Sequence, residues 1–151
     1  MTIGVRRATP ADAPVVGRLL DDFNREFNTE TPGPEVLAER LRTLLAGEDL
    51  VALLAADDAG VAVVSFRVNV WYAGPVALLD ELYVRPELRN RRIGQALLEA
   101  AGDEARKHGA ELLEINVDGD DHDARRFYER HGFSNIEPDA HEPMYFYYKE
   151  L

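Results

Sequence analysis

"VRPELRNRRIGQALLEAA", Val84–Ala101, is the stretch that decides how the rest of this 151-residue chain is read. Arg85, Arg89, Arg91 and Arg92 crowd its first half, in a chain whose formal net charge is −11. From Ile93 onward, Ile93, Ala96, Leu97, Ala100, Ala101 and Ala105 recur at helical spacing. Lys107, His108 and Gly109 supply a basic last turn and a stop, so a helix is predicted over Ile93–His108. The preceding run, Val76–Val84, is apolar except for Asp80 and Glu81 and reads as a strand. Strand, tight turn and helix start together make an anion site, because first-turn N–H groups lack intrahelical partners and sit at the positive end of the dipole. Gly94, and Ala96 which is nearly as small, would let a ligand approach the backbone, with the arginines as added charge. The alternative is a solvated basic turn in which Gly94 serves packing.

Working outward, Ile3–Ala8 reads as a short strand. Thr9 is an N-cap candidate and Pro10 suits a first helical position. Val15, Val16, Leu19, Leu20, Phe23 and Phe27 then form one apolar stripe, with Asp21, Asp22 and Glu26 on the other face. A second helix is predicted over Pro34–Ala46. The period then changes to that of strands, at Leu50–Ala56, Val61–Tyr72 and Val76–Val84, a meander punctuated by Asp57–Gly60 and Ala73–Pro75. Glu111–Val117 reads as the strand that returns from the helix, parallel to Val76–Val84 through a right-handed crossover. Asp121 or His122 opens a short helix through Arg130, and strands are predicted near Phe133–Ile136 and over Met144–Glu150. The expected fold is α+β (mixed α/β), a single domain over residues 1–151. Its sheet is mixed and mostly antiparallel, with six to seven strands and about four flanking helices.

Composition narrows the function. The apolar fraction of 46% is that of an ordinary folded domain. No run approaches the ~20 apolar residues of a membrane span, and the first residues lack the apolar core of a secretory signal. Cysteine is absent, which excludes disulfides, thiol catalysis and cysteine-held zinc, and suits a reducing cytoplasm. The acidic balance argues against general nucleic-acid binding. It leaves room for a local basic site and favours cationic small molecules through the overall field, although solubility alone also explains it. The four histidines, at 108, 122, 131 and 141, lack metal-ligand spacing, so no metal is expected.

The Val84–Ala101 stretch resembles the acetyl-coenzyme A signature of the GCN5-related N-acetyltransferases, the GNAT superfamily. That signature is (Gln/Arg)-x-x-Gly-x-(Gly/Ala), usually after a strand ending in Val-x-Pro. Here Val84-Arg85-Pro86 precedes it, and Arg89, Gly94 and Ala96-Leu97-Leu98 match. Arg92 holds the position of the first glycine, and Asn90 stands where another glycine is frequent. A second stretch, Ala124–Phe133, resembles the family's Asn-x-x-Ala-x-x-Phe-Tyr-Glu-x-x-Gly-Phe motif. Ala124, Phe127, Tyr128, Glu129, Gly132 and Phe133 match, and Asp121 replaces the asparagine.

The resemblance implies a GNAT-like acyl-CoA N-acyltransferase fold and transfer of an acetyl group from acetyl-CoA to a primary amine. It carries cofactor contacts to Leu82, Tyr83 and Val84 on a strand that bulges away from its neighbour. The turn residues Arg89, Asn90, Arg91, Arg92, Ile93, Gly94, Gln95 and Ala96 follow, then Asp121, Arg126 and Tyr128. Tyr128 is the candidate general acid toward the departing sulfur, or else a packing aromatic beside Phe127. Glu81 is the candidate base, since a carboxylate in an apolar strand has its pKa raised toward useful values; it reads equally as a salt-bridged or solvated strand residue. The acceptor pocket is expected to take Phe23, Glu26, Phe27, Glu81 and Tyr145, a set of acidic and aromatic groups suited to a polyamine, an aminoglycoside-like amine or a peptide amine. A non-catalytic acyl-CoA sensor on the same fold is the alternative. Relatives often pair, and the aromatic run Met144–Tyr148 is the one hint of a homodimer.

Overall fold

The computed structural model describes residues 2–151. They divide into two compact units, Met1–Ile115 and Asn116–Leu151. Among the described residues no helix is long and apolar enough to cross a membrane.

The first unit contains β1 (Val5–Arg7), a 3-10 turn (Pro10–Asp12), α1 (Ala13–Glu26), α2 (Pro34–Ala46), β2 (Leu50–Ala55), β3 (Gly60–Arg67), β4 (Val76–Val84), α3 (Ile93–Lys107) and β5 (Leu113–Ile115). The five strands lie in sequence order, antiparallel except for the parallel β4–β5 pair. That parallel pair is the product of the α3 crossover. Both faces of the sheet are covered, which is why the strands read as continuous apolar runs rather than alternating ones. On one face Leu54, Val61, Val63 and Tyr83 pack with Val16 and Leu19 of α1 and Ala38, Leu41 and Leu45 of α2. The intervening residues Val51, Leu53, Ala62 and Val64 are also buried, as are Leu97, Leu98, Ala101 and Ala105 of α3, the helix that packs on β2, β3 and β4. Helices α1 and α2 approach closely at Gly17, where a Cβ would stand 3.0 Å from both the Pro34 carbonyl and the Ala38 nitrogen.

Element ends differ from expectation for local reasons. The expected first helix begins as a 3-10 turn, whose Asp12 carboxylate accepts from the Thr9 N–H at 2.8 Å and from both terminal nitrogens of Arg6. Strand β3 stops at Arg67 instead of reaching Tyr72, because Asn69 Oδ1 captures the N–H groups of Trp71 and Tyr72, each at 2.8 Å, and curls the chain. The second unit holds α4 (His122–Arg130) and no strand among its described residues. This corrects the sheet to five strands from the expected six to seven. Strand character is completed by a ladder, not by composition. Residues Phe133–Ile136 and Met144–Glu150 make no ladder; one contact, Met144 N–H to Asn135 O at 2.6 Å, starts a pairing that goes no further.

Candidate active site

The site begins with one extra residue in β4. Val63 pairs with Glu81 and Val64 with Leu79, so Asp80 has no partner and β4 bulges there. A single inserted residue reverses the side to which later amides point. Before the bulge, the Ala77 N–H donates to Leu112 O at 3.0 Å, toward β5; after it, the Arg85 N–H donates to Ala59 O at 2.9 Å, toward β3. Alternation between these two markers turns the N–H groups of Leu82 and Val84 to the β5 side. The parallel ladder has already ended there, running only from Ala77↔Leu113 to Leu79↔Ile115. Leu82 and Val84 therefore present backbone donors at an open edge. Gly60, cross-strand from Val84, allows the close approach behind them. A Cβ at residue 60 would lie 2.5 Å from Tyr83 O and 3.2 Å from Val84 Cα.

Beyond Val84 a 3-10 turn (Pro86–Leu88) leads into the arginine turn. Asn90 and Arg92 have φ of 63° and 65°, in the left-handed region. These two residues stand where the motif would carry glycine, and the backbone keeps the shape that glycine adopts freely. Arg92 is the N-cap of α3, and its carbonyl accepts from the Ala96 N–H at 3.1 Å. The first-turn N–H groups of Ile93, Gly94 and Gln95 are those left without an intrahelical partner, while that of Ala96 is already used. Arg91 and Arg92 are exposed. Arg85 is committed elsewhere, donating from Nε to Asp58 O at 2.7 Å and bracing the β2–β3 turn.

Arg89 joins this turn to α1. Its Nη1 and Nη2 donate to the two carboxylate oxygens of Glu26, each at 2.8 Å, and its Nε donates to the Val84 carbonyl at 3.0 Å. The guanidinium also lies 5.7 Å from the centroid of the Tyr83 ring. Phe23 stacks on Tyr83 at 5.0 Å, and Phe27 meets Phe23 edge-on at 5.5 Å. Burial, then the Glu26 and Asp22 carboxylates, hold the Tyr83 phenol above its ordinary pKa. Glu81 is two residues before Tyr83, so it shares the α1–α2 face of the sheet. It is half-buried and has no ion pair among the described residues. Burial, and secondarily the charge of Asp80, push its carboxyl up to about 7. Phe23, Glu26, Phe27, Glu81, Tyr83, Val84 and Arg89 thus form one neighbourhood within the first unit.

In the second unit Asp121 caps α4, its Oδ1 accepting from the Ala124 N–H at 3.1 Å, and Arg126 pairs with Asp123. The helix ends in a reciprocal pair of backbone bonds: Gly132 N–H to Glu129 O at 3.2 Å and Phe133 N–H to Tyr128 O at 3.0 Å. Gly132 has φ of 92°. This is a Schellman stop, with the Tyr128 and Phe133 rings 5.6 Å apart as its apolar clasp. The Tyr-Glu-x-x-Gly-Phe pattern thus has a local mechanical meaning. Tyr145 is exposed.

A bulged strand that parts from its parallel neighbour beside a helix start is matched by sequence as well. The family model described as Acetyltransferase (GNAT) family matches residues 16–133. The chain belongs to the GNAT family. The crystal structure of a candidate acetyltransferase from Arthrobacter sp. FB24 is 61% identical, with a TM-score of 0.93 over 98% of this chain and 96% of that one. The aminoalkylphosphonate N-acetyltransferase of Salmonella typhimurium is 35% identical over 83 residues, 55% of this chain; the match spans 54% of that protein. AAC(6')-Iy, solved with the bisubstrate analogue CoA-S-monomethyl-acetylneamine, shares the fold at a TM-score of 0.77 and 18% identity, with 100% of each chain covered.

Within the GNAT fold, two participants escape sequence reading. Asp80, one of the two polar exceptions in the Val76–Val84 run, is the exposed bulge residue itself. The adjacent carboxyl pair Asp80-Glu81 in an apolar run was the only trace of it. Gly60 reads as a turn residue and acts as the gap that seats β4. Arg89 and Glu26, assigned to cofactor and amine respectively, are bonded to each other.

Proposed function

We propose that this chain is an acetyl-CoA-dependent N-acetyltransferase acting on a cationic primary amine. The open β4 edge carries this reading: unpaired donors at Leu82 and Val84 run directly into the free N–H groups of α3. The donor set fits the cofactor. A pantetheine arm is an amide chain that pairs with a bare strand edge, and a diphosphate suits Ile93, Gly94 and Gln95 with Arg89, Asn90, Arg91 and Arg92 around them. Ala96 contributes by being small. Asp121, Arg126 and Tyr83 complete the proposed cofactor contacts. When bound, acetyl-CoA supplies the activated acetyl group.

The chain's own residues then have three tasks. An edge N–H of Leu82 or Val84 aimed at the acetyl oxygen stabilises the negative charge that develops there. Glu81, with a carboxyl poised at about 7, would take a proton from the bound acceptor ammonium, directly or through water, so that the neutral amine attacks the acetyl carbon as the carbon–sulfur bond breaks. On the family resemblance alone, Tyr128 would be the group that gives its hydroxyl proton to the departing sulfur. Phe23, Glu26, Phe27 and Tyr145 are the proposed amine contacts, Tyr145 on the resemblance alone. The acidic and aromatic character of this set supports a polyamine, an aminoglycoside or a peptide amine over a neutral acceptor. The cysteine-free, acidic composition supports a cytoplasmic enzyme. The exposed apolar run Met144–Tyr148 supports a homodimer in which that surface is covered.

Release of coenzyme A thiol with spermidine, sisomicin, aminoethylphosphonate and a lysine peptide tests the reading. Turnover with at least one cationic amine is expected. Tight acetyl-CoA binding with no turnover across a broad amine panel would make the chain an acyl-CoA sensor instead.

A further inference from the structure

While its present bonds stand, Arg89 has no bidentate edge to give a diphosphate: the two N–H groups left over, one on Nη1 and one on Nη2, lie on opposite edges of the guanidinium. All three kinds of guanidinium nitrogen are engaged: Nη1 and Nη2 by Glu26, Nε by the Val84 carbonyl. Val84 O lies on the same side of β4 as its N–H, so this contact covers an acceptor on the open edge. The pair is not buried deeply enough to be permanent, the side chains being 38% and 27% exposed. Three groups of one neighbourhood are therefore tied by a single side chain: the mouth of the anion cradle, the open strand edge and the α1 carboxylate beside the Phe23–Tyr83 stack.

We propose that Arg89 is a two-position latch that couples the cofactor and amine sites. This inference rests on the acyl-CoA reading above and goes beyond it. Without cofactor, Arg89 spans the edge and neutralises Glu26. A diphosphate at the α3 start draws the guanidinium away. That exposes the Val84 carbonyl to the pantetheine arm and leaves the Glu26 carboxylate without a cation. An ammonium from the acceptor then takes the place that the guanidinium held, against the same aromatic wall. Either ligand binding alone must break the Arg89–Glu26 pair, whereas the second to arrive finds it broken. The sites are consequently coupled with positive sign, and reciprocally. A partly exposed bidentate pair sets the coupling at about fivefold.

Calorimetric titration of coenzyme A into four proteins tests the latch: wild type, Glu26→Gln, Arg89→Gln and the double variant. Glu26→Gln is expected to bind coenzyme A about fivefold more tightly, since nothing holds Arg89 back. Arg89→Gln is expected to bind it more weakly. In the Arg89→Gln background the Glu26 change should give no gain. A gain that persists there means simple relief of charge repulsion and overturns the latch, as does a Glu26→Gln protein that binds no tighter than wild type. With the first amine of the panel that turns over, Glu26→Gln should raise the amine KM while lowering that of acetyl-CoA; shifts in the same direction overturn it. Failure of the wild type to bind coenzyme A would instead remove the acyl-CoA reading itself, and the latch with it.

Discussion

Replacing Glu81 by Gln removes one charge from a half-buried strand position and leaves its shape. The carboxyl stands at about 7 against an ordinary 4.5, because burial, and then Asp80, penalise the ionised form. At about 1.4 kcal/mol per pH unit, ionisation costs at most about 3.5 kcal/mol, and partial solvent access brings the expected range to about 1–3 kcal/mol. The sign follows from proton counts. Between 4.5 and about 7 the unfolded carboxyl has lost its proton while the folded one keeps it. The folded state therefore binds more protons, and stability falls as pH rises through that window, then levels. Gln carries no such penalty. The variant should match wild type near pH 4 and exceed it by about 1–3 kcal/mol near pH 8. Urea unfolding of both proteins across this range isolates the effect, since every other group titrates alike in each. In the acetylation assay, the limb of kcat/KM that rises near pH 7 should disappear in the variant, leaving only the ionisation of the amine. A stability difference that stays flat with pH would refute the reasoning.

Gly60→Ala should drive β4 away from β3, because its Cβ would meet Tyr83 O at 2.5 Å and Leu97 Cδ1 at 3.1 Å. A loss of about 2–3 kcal/mol in urea unfolding and at least a tenfold fall in kcat/KM are expected; Gly4→Ala, whose nearest neighbour is Ala56 Cβ at 3.8 Å, is the neutral control. Arg92→Gly relieves a left-handed side chain at φ 65° and should gain about 0.5–1 kcal/mol in urea unfolding, while the loss of one arginine charge beside the α3 start weakens coenzyme A binding only modestly in calorimetric titration. Tyr128→Phe keeps the ring that meets Phe133 and removes the hydroxyl, so kcat should drop about 100-fold in the acetylation assay; an unchanged kcat removes the proton-donor role from Tyr128.

What sequence reveals here is set by the range of the interaction responsible. Helix α2 starts and ends where Pro34 and Gly47 say, and β4 spans Val76–Val84 as read, because local chemistry decides both. The Asp80 bulge is invisible beforehand: Leu78-Leu79-Asp80-Glu81-Leu82 has no alternation from which a register could be taken. The ends of β3 and β5 depend on partners distant in sequence, and the aromatic C-terminal run has strand composition without a ladder. The left-handed backbone at Asn90 and Arg92 was masked because the motif's glycines are replaced. The Arg89–Glu26 bond joins residues 63 positions apart, each with a separate plausible task, and no local pattern links them.

Amide exchange at Leu82 and Val84, followed by NMR with and without coenzyme A, tests the central claim most directly. The account predicts fast exchange at both in the free protein, slowed at least about tenfold by saturating coenzyme A, together with amides of Ile93, Gly94 or Gln95. Amides already protected in the free protein, or unmoved by the cofactor, would contradict it.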